Sequence, residues 1–165
     1  MTTLIWNLFS NFQKNWFTVL RRNSDEDFWS YEWSKHGTCA RNSNVGESQY
    51  KYFATALELF EQNPVGQWLA EAGIYPSAQP DRFIDLNAIG NAIGRYRLDS
   101  FQIRCKTIHV PDERGVPVSV SAIESVNFCY DKQLRPLSCP GSRRPSCPPM
   151  VIYPTYRLTM QDYDA

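Results

Sequence analysis

Apolar residues recur every three or four positions through much of the first half of the chain, the spacing of helices with one buried face. Leu4, Ile5, Leu8, Phe9 and Phe12 share such a face and predict an amphipathic helix from about Thr3 to about Trp16. Asn23 to Asp27 is a polar loop, in which Asp25 or Asp27 can cap the helix that follows and the acidic residues suit its N-terminus. Within Glu47 to Gln62, Tyr50, Phe53, Ala54, Leu57 and Phe60 form one stripe, the signature of a helix packed on a core. Pro64 opens a further helix that carries Trp68 and Leu69 and stops at Gly73. After a proline-rich connector, Ile74 to Asp81, Asp85 caps a short helix that contains Ile89 and Ile93 and ends near Arg95.

The pattern then changes. Phe101 to Val110 and Val118 to Tyr130 are rich in β-branched and aromatic residues, and they bracket the turn sequence Pro111-Asp112-Glu113-Arg114-Gly115. Two strands joined by a turn are expected, as the antiparallel centre of a sheet. From Leu134 onward the density of proline predicts mostly irregular chain. With no internal repeat and no second domain, residues 1–165 read as a single α+β domain, helices packed on a small antiparallel sheet.

One segment carries chemistry as well as pattern. In Phe28-Trp29-Ser30-Tyr31-Glu32-Trp33-Ser34-Lys35-His36-Gly37-Thr38-Cys39, the residues Glu32, Lys35 and His36 stand at i, i+3 and i+4 of a helix, on one face. Gly37 supplies a helix stop. An imidazole can take or give a proton near neutral pH, an ammonium can stabilise charge growing on a phosphoryl oxygen, and a carboxylate can steer either. From spacing alone the same residues also read as a surface ion pair and a helix cap. Trp29 and Trp33 have two readings as well, a contact surface or core packing that holds the helix in place.

Charge narrows the choice of partners. Seventeen basic residues balance seventeen acidic ones, so no global positive field holds the chain on long nucleic acid. Arg21-Arg22 and Arg143-Arg144 are small basic spots that fit either backbone phosphate or plain solvated surface. Five cysteines without a Cys-x-x-Cys pair argue against a structural zinc site and for disulfides, hence for an oxidising compartment. No secretory leader is visible in Met1 to Leu20, no run is long enough to span a membrane, and no Asn-x-Ser/Thr acceptor occurs.

The twelve-residue string closely resembles the second catalytic signature of the ribonuclease T2 family, a pattern like F-W-x-H-E-W-x-K-H-G-T-C, with Tyr31 in place of the usual histidine. Cys105-Lys106, Phe128-Cys129-Tyr130-Asp131, Arg135-Pro136, Cys139 and Ser146-Cys147-Pro148 are similar to that family's C-terminal half in order and spacing. The resemblance implies the α+β fold, catalytic Glu32, Lys35 and His36, and a substrate-binding surface of Phe28, which stacks on a substrate base, and Trp29. It implies the bridges Cys105–Cys147 and Cys129–Cys139 and leaves Cys39 unpaired, since its partner in complete members lies upstream.

By the same resemblance the activity is metal-free and cofactor-free cleavage of RNA by a monomer, with no DNA or membrane partner. The ribose 2′-hydroxyl attacks the adjacent phosphorus and leaves a 2′,3′-cyclic phosphate, and His36 is the general base. Complete relatives are extracellular or vacuolar/endolysosomal. The family's first signature, a pattern like H-G-L-W-P with the other catalytic histidine, does not occur in these residues. His109, the only other histidine, reads as a strand-end or loop residue. The chain is therefore expected to begin part-way through the domain, to lack strands of its sheet, and to be impaired as an enzyme on its own. The alternative is a non-catalytic RNA- or protein-binding remnant that keeps the aromatic surface of Phe28, Trp29 and Trp33.

Overall fold

The computed structural model describes residues 14–17, 24–43, 45–79, 81–98, 100–112, 114–140 and 147–155. They fall into two compact units, Met1–Pro64 and Val65–Ala165. The helix expected over Thr3 to Trp16 lies mostly outside the described residues, of which Lys14 and Asn15 are helical; the paired arginines also lie outside them.

In the first unit, helix α1 spans Asp25–Lys35, a 3₁₀ helix spans Gly37–Asn42, and α2 spans Gln49–Glu61. The cap of α1 is Ser24, not Asp25 or Asp27: its hydroxyl accepts from the Asp27 N–H at 3.1 Å while the Asp27 carboxylate accepts from Ser24. This reciprocal box satisfies donors that the first turn cannot. Asp25, Glu26 and Asp27 then complement the positive end of the helix dipole. The stripe read in α2 is real at its centre, where Phe53 and Leu57 are buried with Trp29 of α1. Tyr50 and Phe60, at the ends of that stripe, are exposed.

The second unit holds α3 (Val65–Glu71), β1 (Phe83–Asp85), α4 (Leu86–Gly94), β2 (Phe101–Pro111), β3 (Pro117–Phe128) and β4 (Met150–Ile152). Asp85 caps α4 by accepting from the Asn87 N–H at 2.8 Å, and Gly73 takes a φ of 74° past the end of α3, which only glycine adopts without strain. Strands β2 and β3 form the expected antiparallel hairpin, with a bulge between Arg104 and Cys105. Its turn is held by Asp112, whose side chain accepts from the Arg114 and Val116 N–H groups, and by Gly115 at a φ of 78°.

The sheet order is β1-β4-β3-β2. Two short strands absent from the sequence reading complete it: β1 and β4 pair antiparallel, while β4 joins β3 in parallel through Ala122 and Ile152, so the sheet is mixed. Side-chain alternation sends the two faces to different clusters. Phe101, Ile103, Cys105 and Val151 pack with Trp68, Leu69, Ile89 and Ile93 of the helices, whereas Ile108, Val110, Ala122 and Ile152 form a second buried group. Both expected disulfides are present, Cys105–Cys147 with Cα atoms 5.1 Å apart and Cys129–Cys139 with 5.2 Å. Of the described cysteines, Cys39 is free and exposed.

Candidate active site

The last turn of α1 and the residues after it place Glu32, Lys35 and His36 together. Glu32 is half-buried, and Lys35 and His36 are exposed. His36 is the C-cap, its backbone N–H donating to the Glu32 carbonyl at 2.9 Å, so its backbone is anchored to the end of the helix. The string that follows serves the helix end: the Thr38 hydroxyl donates to the Ser34 carbonyl at 2.8 Å and the Cys39 thiol to the Lys35 carbonyl at 3.5 Å. These are the carbonyls that a helix C-terminus leaves without partners.

Gly37 acts differently from the stop that its position suggested. It is buried and lacks a positive φ, and a Cβ there would lie 2.2 Å from Cε3 of Trp33. The glycine is needed because the indole lies against the backbone. Trp33 in turn meets the Tyr52 ring edge-on at 5.7 Å and packs on the Trp29, Phe53 and Leu57 cluster. The polar face of α1 is thus oriented by aromatic packing on its other side.

That packing also sorts the two aromatic candidates. Trp29 is 8% exposed, and its indole N–H donates to the Trp16 carbonyl at 2.7 Å, so it fills the core and is not part of the substrate-binding surface expected of it. Phe28 is half-buried at the edge of the same cluster. Trp33 is half-buried as well.

Around Lys35 lies a partner that sequence reasoning noted only as a departure. The Lys35 ammonium donates to the Tyr31 hydroxyl and sits 4.9 Å from that ring's centroid. The accepting phenol raises the lysine above its ordinary pKa, with the Glu32 charge adding to it. Burial, and then Glu32, push the Tyr52 phenol up, so Tyr52 belongs to the surroundings of the carboxylate. The i, i+4 spacing of Tyr31 and Lys35 was the available signal for the first contact; Tyr52, on another helix, had none.

Other groups stand elsewhere. His109 is exposed on β2, opposite Ser119. A cleft of about 410 Å³ in the second unit is lined by Phe83, Val118, Val120 and neighbours, and by none of the expected site residues. Among the described residues no group of three His, Cys, Asp or Glu side chains could hold a metal ion, and no helix is long and apolar enough to cross a membrane.

The sequence model described as "Ribonuclease T2 family" matches residues 2–139, through both compact units. The chain belongs to the ribonuclease T2 family. Ribonuclease T2 of Danio rerio is 30% identical over 141 residues, 85% of this chain and 54% of the relative. Extracellular ribonuclease LE of Solanum lycopersicum is 33% identical over 155 residues, 92% of this chain and 61% of the relative. The chain therefore spans little more than half the length of these T2 relatives. The crystal structure of human RNase T2 superposes with a TM-score of 0.70 at 28% identity, over 92% of this chain and 72% of that one.

Proposed function

We propose that the last turn of α1 is an RNA-cleaving site of the T2 type. The observation that carries this reading is the grouping of Glu32, Lys35 and His36 at one helix end, in a chain whose family match runs through that helix. His36 removes the proton from a ribose 2′-hydroxyl, the 2′-oxygen attacks phosphorus, the bond to the 5′-oxygen breaks, and a 2′,3′-cyclic phosphate is left. Lys35 stabilises the charge on the phosphoryl oxygens and Glu32 steers it. Phe28 offers an aromatic edge to a base.

The leaving 5′-oxygen needs a proton donor, and the string that carries one in the family pattern is missing from these residues. Loss of a positioned general acid costs on the order of 10² to 10⁴ in rate, so the 165 residues alone are strongly impaired. The two units act as one domain, supported by a single family match that extends through both. The protein works as a monomer in an extracellular or vacuolar/endolysosomal setting, a reading that its two disulfides favour.

The test compares RNA with its 2′-deoxy counterpart as substrates of the oxidised chain, alongside RNA binding by Phe28→Ala and His36→Ala. Slow cleavage confined to RNA supports the site. Cleavage of both substrates refutes it, and binding that Phe28→Ala weakens, without any cleavage, identifies a non-catalytic remnant instead.

A further inference from the structure

The position at which this chain leaves the family string is the position that touches the candidate catalytic lysine. An exposed lysine on its own samples many rotamers, and its ammonium has no fixed place to meet a ligand. Here Lys35 Nζ donates to the Tyr31 hydroxyl and lies 4.9 Å from the ring centroid, at the hydroxyl end of the ring. Both side chains are exposed, so core packing does not account for the pairing.

We propose that Tyr31 is a positioning residue for Lys35, its hydroxyl oxygen holding the ammonium where it is presented to a phosphodiester oxygen. The proposal rests on the RNA-cleavage reading for the identity of that anion. One of the three ammonium N–H groups is used on the phenol and two remain for phosphate. The phenol, accepting from a cation, keeps its own O–H free and polarised as a further donor. The raised pKa of Lys35 agrees with the contact.

The experiment uses the full, oxidised chain as wild type, Tyr31→Phe, Lys35→Ala and the double variant. Tyr31→Phe keeps the ring and removes the hydroxyl at an exposed site. NMR titration of ¹³Cε-labelled lysine, with Lys35 assigned by its loss in Lys35→Ala, is expected to place Lys35 above the ordinary lysine range and to move it down in Tyr31→Phe. An unchanged titration overturns the tether. Calorimetry with adenosine 3′-monophosphate is expected to show affinity about two- to fivefold weaker in Tyr31→Phe, the scale of an exposed charged contact, and no further loss when the change is added to Lys35→Ala. Equal losses in both backgrounds mean that Tyr31 does not act through Lys35. A wild-type chain that binds no nucleotide ends the RNA reading and the phosphate half of the proposal, while the lysine titration still decides the tether.

Discussion

Replacing Gly37 with alanine tests whether the end of α1 is set by packing or by backbone freedom. If the glycine were a left-handed stop it would need a positive φ, which it does not have. The added Cβ instead meets Trp33, at 2.2 Å from Cε3 and 2.7 Å from Cζ3, well inside the roughly 3.5 Å at which carbon atoms pack. The indole has little room to retreat, because it lies edge-on to Tyr52 and against the Trp29, Phe53 and Leu57 cluster. Forcing a group into such a site costs about 1–3 kcal/mol, and the higher helix propensity of alanine returns at most about 1 kcal/mol. With a contact this short the overpacking cost lies at the upper end, about 2–3 kcal/mol, so a net loss of about 1–2 kcal/mol is expected, or about 2–4 °C of melting temperature for each kcal/mol. Urea denaturation followed by tryptophan fluorescence and circular dichroism measures it in wild type, Gly37→Ala, Trp33→Leu and the double variant. With the indole removed, the cost of Gly37→Ala should largely vanish. A Gly37→Ala protein within about 0.5 kcal/mol of wild type, or an equal cost in both backgrounds, refutes the packing argument.

Three further outcomes follow from the same structure. Ser24→Ala removes one half of the capping box and should cost about 1 kcal/mol, with faster amide exchange confined to the first turn of α1. Cys105 and Cys147 are separated by 42 residues and Cys129 and Cys139 by 10, so removing the first bridge should cost about 2–4 kcal/mol and more than removing the second, as read by urea titration of the paired serine variants. Asp131 accepts from the Arg135 backbone N–H at 2.9 Å, from the Gln133 N–H at 2.8 Å and from the Arg135 guanidinium at 2.7 Å, contacts that hold its carboxyl below the usual range. Because the folded pKa is depressed, the stabilisation is present at neutral pH and lost as pH falls through that value; Asp131→Asn should flatten this part of the acid limb, and an NMR titration of Asp131 in the ordinary range would contradict it.

The elements legible in the sequence were those with a strong local signal. Asp85 and Gly73 marked helix ends through cap chemistry, and the β-branched runs on either side of Asp112 and Gly115 gave the hairpin, within a residue or two of its limits. Strands β1 and β4 escaped because three residues are too few to show a period, and Val151 and Ile152 are made a strand by pairing with β1 and β3, contacts distant in sequence. The candidate site was legible as a string, Glu32 to Cys39, but its supports were not. Trp29 and Trp33 fitted either a surface or a core until α2 was seen beside them. The cap of α1 has a local signal too, since Ser24-x-x-Asp27 is the spacing of a capping box, but Asp25 and Asp27 are equally good caps by residue type. The role of Gly37 depends on where one indole ring lies, which spacing does not specify.

His36 is proposed to perform the proton transfer in RNA cleavage at the end of α1. The deciding measurement is the rate of RNA cleavage by the oxidised chain beside His36→Ala, with the product ends identified by mass spectrometry. Expected are cleavage about 10² to 10⁴ below that of a complete T2 enzyme, 2′,3′-cyclic phosphate ends, and loss of this residual activity in His36→Ala. Cleavage at the rate of a complete enzyme, or residual cleavage that His36→Ala leaves unchanged, would contradict it.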